Sequence, residues 1–231
     1  MSLKLLKKKL TIEELPSLSK IAKQIMTLVM QDDVSLDKLA AAIKKDPKLS
    51  TKIIQVVNTP LYAPQNIIAD ISQAVSTLGL KRVKNMALSL TIMSSLEHTV
   101  NQATYDNLVN CSLGAAILSE TLALQQKNSY LQDSFFCGLV QYLGRFVLAG
   151  ALGDRYHTLL QEAESQSLRF DKVLEDNLKI HAHEVGLRLA QKWNLPKIAC
   201  CSLSYGDDPE KALAEKLDQD FIRLIKLIHL S

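Results

Sequence analysis

Apolar residues recur three and four positions apart along most of the chain, the spacing of one helix face. Leu36, Leu39, Ala40 and Ile43 form one such stripe, Leu49, Ile53, Val56 and Val57 a second, and Ile71, Ala74, Val75 and Leu78 a third. The last two carry their own start signals. Asp46 before Pro47 reads as an N-cap followed by a first-turn proline, whose missing N–H costs nothing there. Asp70 with Gln73 three residues on reads as a capping box, and Gly79 as the left-handed residue that ends that helix. The second helix stops at Asn58-Thr59-Pro60, and the two prolines of NTPLYAPQN predict a loop. From Arg82 to Leu96 the pattern is apolar nearly all round, which predicts a central core helix.

The second half continues in the same way. Leu108, Cys111, Ala115, Leu118 and Leu122 are expected to form a buried stripe, and Phe135–Ala151 a strongly apolar stretch. Asp154 opens a polar-faced helix, and Ala182, Val185, Leu189 and Trp193 line another that breaks at Asn194-Leu195-Pro196. Asp208-Pro209 repeats the cap-plus-proline start, and Phe221, Leu224, Ile225 and Ile228 give a final stripe. Nothing alternates with period two for long enough to predict a strand, so the expected fold class is all-α.

Composition supports that expectation. Aromatics are 5% of 231 residues, and the length suits one large domain or two small ones. No apolar run approaches 18 residues, so no membrane span is expected. The start, MSLKLLKKKL, lacks the apolar core and cleavage site of a signal peptide. Cys111, Cys137, Cys200 and Cys201 lack C-x-x-C spacing and are expected to be buried thiols of a cytoplasmic protein. The net charge is +3, with the excess of cations in residues 1–100 and a mild excess of carboxylates after them. That asymmetry suits docking to an acidic partner and is too small to imply nucleic acid. Lys7, Lys8 and Lys9 read as a solvated face.

Candidate chemistry is sparse. Ile71–Leu90, with Ala74, Gly79, Lys81, Arg82 and Lys84, has the outline of a helix-turn-helix. Its second helix is too apolar to lie in a DNA groove, and the charges at its start read as a solvated end. His181 and His183 are two apart and diverge on a helix, while His183-Glu184 does not continue into H-E-x-x-H. Asp154 and His157 supply only two ligands. Cys111 has no histidine at helical spacing, and no G-x-x-x-x-G-K is present. No metal or cofactor is expected.

Five segments together resemble one family. They are LPSLSKIA (Leu15–Ala22), KDPKLSTKIIQVVNTPLY (Lys45–Tyr62), ISQAVSTLGLKRVKNMAL (Ile71–Leu88), FFCGLVQYLGRFVLA (Phe135–Ala149) and HEVGLRLAQKWNLP (His183–Pro196). In that order they are similar to the HDOD domain, the HD-related output domain of bacterial signalling proteins. The resemblance implies a basic leader (1–14) and an HDOD domain (15–206), with a C-terminal helix (207–231) after it. The domain would comprise an N-terminal helical half (15–98) and a half related to HD phosphohydrolases (102–206). The short leader and tail suggest a domain that stands alone.

In catalytic HD enzymes, histidine and aspartate hold divalent metals that activate water. The family's G-L-[LV]-H-D-[IL]-G is matched here by Gly138-Leu139-Val140-Gln141-Tyr142-Leu143-Gly144, so Gln141 and Tyr142 take the HD positions. A neutral amide and a protonated phenol are poor ligands for a hard cation. Cys111 stands near where the first histidine would be. Ser204-Tyr205-Gly206-Asp207 lacks the histidine relatives show, and Ala182 stands where relatives place a histidine two before Glu184.

The resemblance therefore implies a non-catalytic output domain with a protein partner. Asp46, Asn58, Thr59, Tyr62 and Gln73 match the family pattern and are the candidate partner-binding residues. Asp46, Asn58 and Gln73 also have ordinary helix-end roles, and Tyr62, in its proline-flanked loop, is the best candidate for surface recognition. Two other readings remain open. One is a metal-dependent phosphohydrolase using His157, His181 or His183. The other is a nucleotide-sensing pocket lined by Cys111, Gln141, Tyr142 and Tyr205.

Overall fold

The computed structural model describes residues 10–230 except 19, 32, 33, 61, 63, 207, 208 and 216, and the side chains of 213, 214 and 230 are likewise outside the description. Lys7–Lys9 and the predicted cap Asp208 therefore lie outside the described residues. The fold is all-α, and among the described residues there is no strand. The first half comprises α1 (Lys20–Val29), α2 (Leu36–Lys44), α3 (Pro47–Val57), α4 (Ile71–Leu78) and α5 (Leu80–Ser94). A short 3-10 turn, Glu97–Thr99, leads to α6 (Gln102–Gln125), α7 (Leu131–Val140), α8 (Leu143–Leu152), α9 (Asp154–Ser165) and α10 (Phe170–Leu178). Then come α11 (Ala182–Lys192), α12 (Lys197–Tyr205), α13 (Pro209–Ala214) and α14 (Gln219–Leu230).

The predicted caps close as their chemistry requires. Asp46 Oδ1 accepts from Leu49 N at 3.0 Å, and Asp70 Oδ1 from Ser72 N and Gln73 N at 2.7 and 3.1 Å. Gln73 reaches back to accept from Ala69 N at 2.9 Å, a reciprocal capping pair around Asp70. Gly79 differs from expectation. Its φ of 86° is paired with ψ 156°, an extended mirror conformation, and it both ends α4 and starts α5. A side chain is strained there, so glycine lets two helices meet end to end without a loop.

One continuous core runs from Leu10 through Leu203 and is shared by both halves. Helix α5 is buried without interruption from Met86 to Met93, which leaves no polar face for a nucleic-acid groove. The charges at its start are not simply solvated. Lys81 pairs with Asp133 at 2.9 Å, Lys84 Nζ donates to Gln31 O at 2.7 Å, and Arg82 reaches Glu120 at 3.0 Å. The LPSL segment is fastened to α11 by Trp193 Nε1, which donates to Pro16 O at 2.9 Å, and by Lys192 Nζ, which donates to Leu15 O at 2.6 Å. A second, smaller cluster holds α14 through Cys137, Ala212, Phe221, Ile222, Leu224, Ile225 and Ile228.

Three expectations are corrected. Of the predicted α6 stripe, Leu108 and Ala115 are buried and Leu122 is partly so, but Cys111 and Leu118 are exposed, and the neighbouring Ser112, Ala116 and Ser119 face inward instead. Small side chains win that face because α7 packs closely against it. Ser112 can be buried there because its hydroxyl donates to Val109 O at 2.9 Å. Of the four thiols, all free, only Cys137 is fully buried. Finally, Gln102–Gln125 and Leu131–Leu152 are long and apolar enough to cross a membrane by length and composition. The second is interrupted between α7 and α8 and is mostly buried, and both helices pack into this fold.

Candidate functional site

The segment Gly138–Gly144 carries the end of α7, a two-residue turn and the start of α8. Its glycines are set by contact. A Cβ on Gly138 would lie 2.5 Å from Ser119 Oγ and 2.8 Å from Ala115 O on α6. A Cβ on Gly144 would lie 1.7 Å from Ala182 O at the start of α11. These two crossings leave no room for a side chain, and they fix the turn residues Gln141 and Tyr142 between α6 and α11.

Around them is a cavity of about 80 Å³ lined by Gln141, Tyr142, Arg145, Asp171, His183 and His229, with Arg169 also on the lining. Gln141 Nε2 donates to Cys137 O at 2.9 Å and Ser202 Oγ at 3.2 Å. Gly206 packs so tightly that a Cβ there would meet Gln141 Oε1 at 2.7 Å and His183 Nε2 at 2.8 Å. Arg145 Nη2 lies 2.8 Å from Asp171 Oδ2, and its guanidinium stacks 4.9 Å from the centre of the Tyr142 ring. The other carboxylate oxygen, Asp171 Oδ1, is buried without a hydrogen-bond partner among the described residues. Burial pushes the Tyr142 phenol above its usual pKa, an effect partly offset by Arg145, so it is a neutral hydroxyl near pH 7. The roof is α14: Ile228 and His229 line the cavity, and His229 Nδ1 lies 2.7 Å from Gly206 O.

Divalent metal does not fit this donor set. Gln141 and Tyr142 present a neutral amide and phenol, Asp171 is committed to Arg145, and two guanidinium groups face the space. Among the described residues, no three His, Cys, Asp or Glu side chains converge as ligands. His157 is elsewhere, with Nε2 3.0 Å from Thr104 Oγ1, and His181 is the non-helical residue before α11. Of the three histidines considered from sequence, only His183 reaches the cavity, and the histidine that joins it is His229.

The family model of the HDOD domain matches residues 15–209, most of the chain. The chain belongs to the HDOD family. An uncharacterized protein of Treponema pallidum (strain Nichols) is 28% identical over 193 residues, covering 80% of this chain and 36% of its own length. The chain thus spans about a third of that relative. Two solved structures share the fold. One is an HDOD domain protein of unknown function from Geobacter sulfurreducens, with TM-score 0.77, 21% identity, and coverage of 98% of this chain and 75% of that one. The other comes from Shewanella amazonensis SB2B and is provisionally named a phosphohydrolase. Its TM-score is 0.75 at 18% identity, over 98% and 79% of the two chains.

The remaining candidates of this HDOD domain are dispersed. Cys111 lies on the exposed side of α6, with Sγ 3.8 Å from Asn107 Oδ1. Tyr205 does not line the cavity; its hydroxyl donates to Glu215. Asp46 and Gln73 are occupied at helix ends. Asn58 clamps the loop, donating to Ile54 O and Ile68 O at 2.8 Å each and accepting from Ile68 N at 2.9 Å. Thr59 Oγ1 donates to Val56 O at 2.7 Å.

Tyr62 is half-buried rather than displayed. Its hydroxyl donates to Glu120, a carboxylate only 2% exposed, and Arg82 stacks 5.8 Å from its ring centre while pairing with the same carboxylate. Burial raises the Glu120 pKa, while Tyr62 and Arg82 pull it down. The sequence reading missed this junction, and Glu120 was its signal: the one carboxylate in the stretch of α6 after Asp106. It also missed Arg145, which follows Gly144 and lies one helical turn from Gln141. Asp171 and His229 come from helices with no local mark of a shared site.

Proposed function

We propose that this HDOD domain performs no turnover and carries a signal by binding another protein. The observation that carries this reading is the pair Gln141 and Tyr142 at the two HD positions, with the nearby Asp171 already neutralised by Arg145. Metal-assisted phosphoryl chemistry needs a site that concentrates negative ligands around a cation. This lining places two arginines there instead. The cavity volume supports the same conclusion. About 80 Å³ holds only two or three waters at roughly 30 Å³ each, against the roughly 300 Å³ or more of small-molecule sites.

The test is direct. Purified protein is expected to carry no stoichiometric Mn, Fe, Ni or Zn and to show no phosphodiesterase activity with any of them added. Affinity capture from the native cell is expected to recover a specific protein. The phosphohydrolase alternative is favoured by the name given to the Shewanella neighbour. Bound metal with matching metal-dependent activity would establish it. A nucleotide released on denaturation would favour a sensing pocket, reached by displacement of α14.

A further inference from the structure

Helix α1 carries two apolar stripes and needs only one of them for the core. Ala22, Ile25, Met26 and Val29 face inward and are buried. Ile21 is 50% exposed, and Leu28, two turns further on, is partly so; both lie on the side facing α2. Between α1 and α2 runs a groove of about 750 Å³ whose lining includes Ile21, Ile25, Leu28 and Ala42. Around it stand Lys20, Lys23 and Lys45. No carboxylate lines it, and among the described residues none of these three lysines takes part in an ion pair. An apolar floor ringed by unpaired ammonium groups is complementary to a surface that is apolar along one stripe and acidic beside it. The chain's own first ten residues, MSLKLLKKKL, contain four lysines and no carboxylate, so like charge disfavours them as the occupant.

We propose that the α1–α2 groove is the docking site for an acidic amphipathic helix of a partner protein. The helix sets its apolar stripe on Ile21, Leu28 and Ala42 and its carboxylates toward Lys20, Lys23 and Lys45. This rests on the protein-binding reading and names the chemistry of the partner. It also moves recognition away from Asp46, Asn58, Tyr62 and Gln73, whose polar groups are already occupied within the fold.

Selection of a displayed random-peptide library on the intact chain tests the proposal. Enriched peptides are expected to carry Asp or Glu with Leu, Ile or Phe at i, i+3/i+4 and i+7, and to weaken as salt rises. The Ile21→Glu/Lys23→Glu variant is expected to lose at least about tenfold in affinity for them. Its circular dichroism and melting temperature should be unchanged, since both side chains are exposed. A Lys20→Gln/Lys45→Gln variant, which keeps the apolar floor, should lose mainly the salt-dependent part.

Several results would overturn the site: no enrichment, basic or neutral winners, equal binding by the variant, binding to phosphatidylserine vesicles without peptide binding, or self-association that the variant abolishes. The broader reading fails separately. A native partner captured equally by wild type and the Ile21→Glu/Lys23→Glu variant refutes the groove alone. No partner captured by either refutes the protein-binding function.

Discussion

Two places in the molecule each combine an arginine, a tyrosine and a carboxylate and put them to different ends. At the junction of the halves, Arg82 stacks on Tyr62 and pairs with Glu120; beside the turn after α7, Arg145 stacks on Tyr142 and pairs with Asp171. In the first trio the tyrosine hydroxyl closes onto the carboxylate, and Glu120 is sealed from water. In the second Arg145 holds one carboxylate oxygen, Asp171 Oδ1 has no hydrogen-bond partner among the described residues, and a cavity adjoins the group. A closed trio is a clamp. An open one of the same chemistry leaves a polar lining beside a cavity, and residue chemistry alone does not tell them apart.

The largest expected effect comes from breaking the closed trio. Glu120→Ala leaves a guanidinium and a phenol without their buried partner and is expected to cost about 3–5 kcal/mol in denaturant unfolding. Arg145→Met, which keeps the stack's bulk, leaves Asp171 beside a cavity and is expected to cost less, about 1–3 kcal/mol. Equal losses would mean that the two trios are both structural.

The tyrosines sharpen the contrast. Tyr62→Phe should cost about 1–2 kcal/mol through its hydrogen bond to a charged group, while Tyr142→Phe should lie within about 0.5 kcal/mol of wild type. The smallest effect concerns neither trio and serves as their control. Burial raises the Tyr105 and Tyr156 phenols to about 12 each, so the folded chain holds protons that the unfolded chain releases above its ordinary tyrosine pKa. Their contribution is intact below pH 10 and declines as pH rises through about 12. Tyr105→Phe, which removes a buried hydroxyl without a partner among the described residues, should flatten that alkaline slope and leave neutral-pH stability nearly unchanged.

Much of the fold was legible because its signals are local. Asp46-Pro47, the Asp70–Gln73 box and the break at Asn194-Leu195-Pro196 each act within four residues, and the helices start and stop near them. The α6 register was not legible. Leu118 outranks Ser119 in hydrophobicity, and only the approach of Gly138 on another helix makes the small residue the buried one. The site was half legible for the same reason. Gln141 and Tyr142 sit in one motif, whereas Asp171, His183 and His229 come from three helices brought together by tertiary packing. Tyr62 misled because a proline-flanked loop suggests display, while Glu120, 58 residues away, draws the ring inward.

The roof over the cavity has a consequence for motion. Helix α14 is held by a small core of its own, distinct from the one that unites the rest of the chain, and by polar ties such as Asn128 Nδ2 to Asp220 O at 2.8 Å. An element anchored this way can open as a separate cooperative unit at a fraction of the global unfolding free energy. Amide exchange across 219–230 should therefore run ahead of exchange in α5 and α11. The wall that Ile228 and His229 give the cavity would then form and part with that one unit.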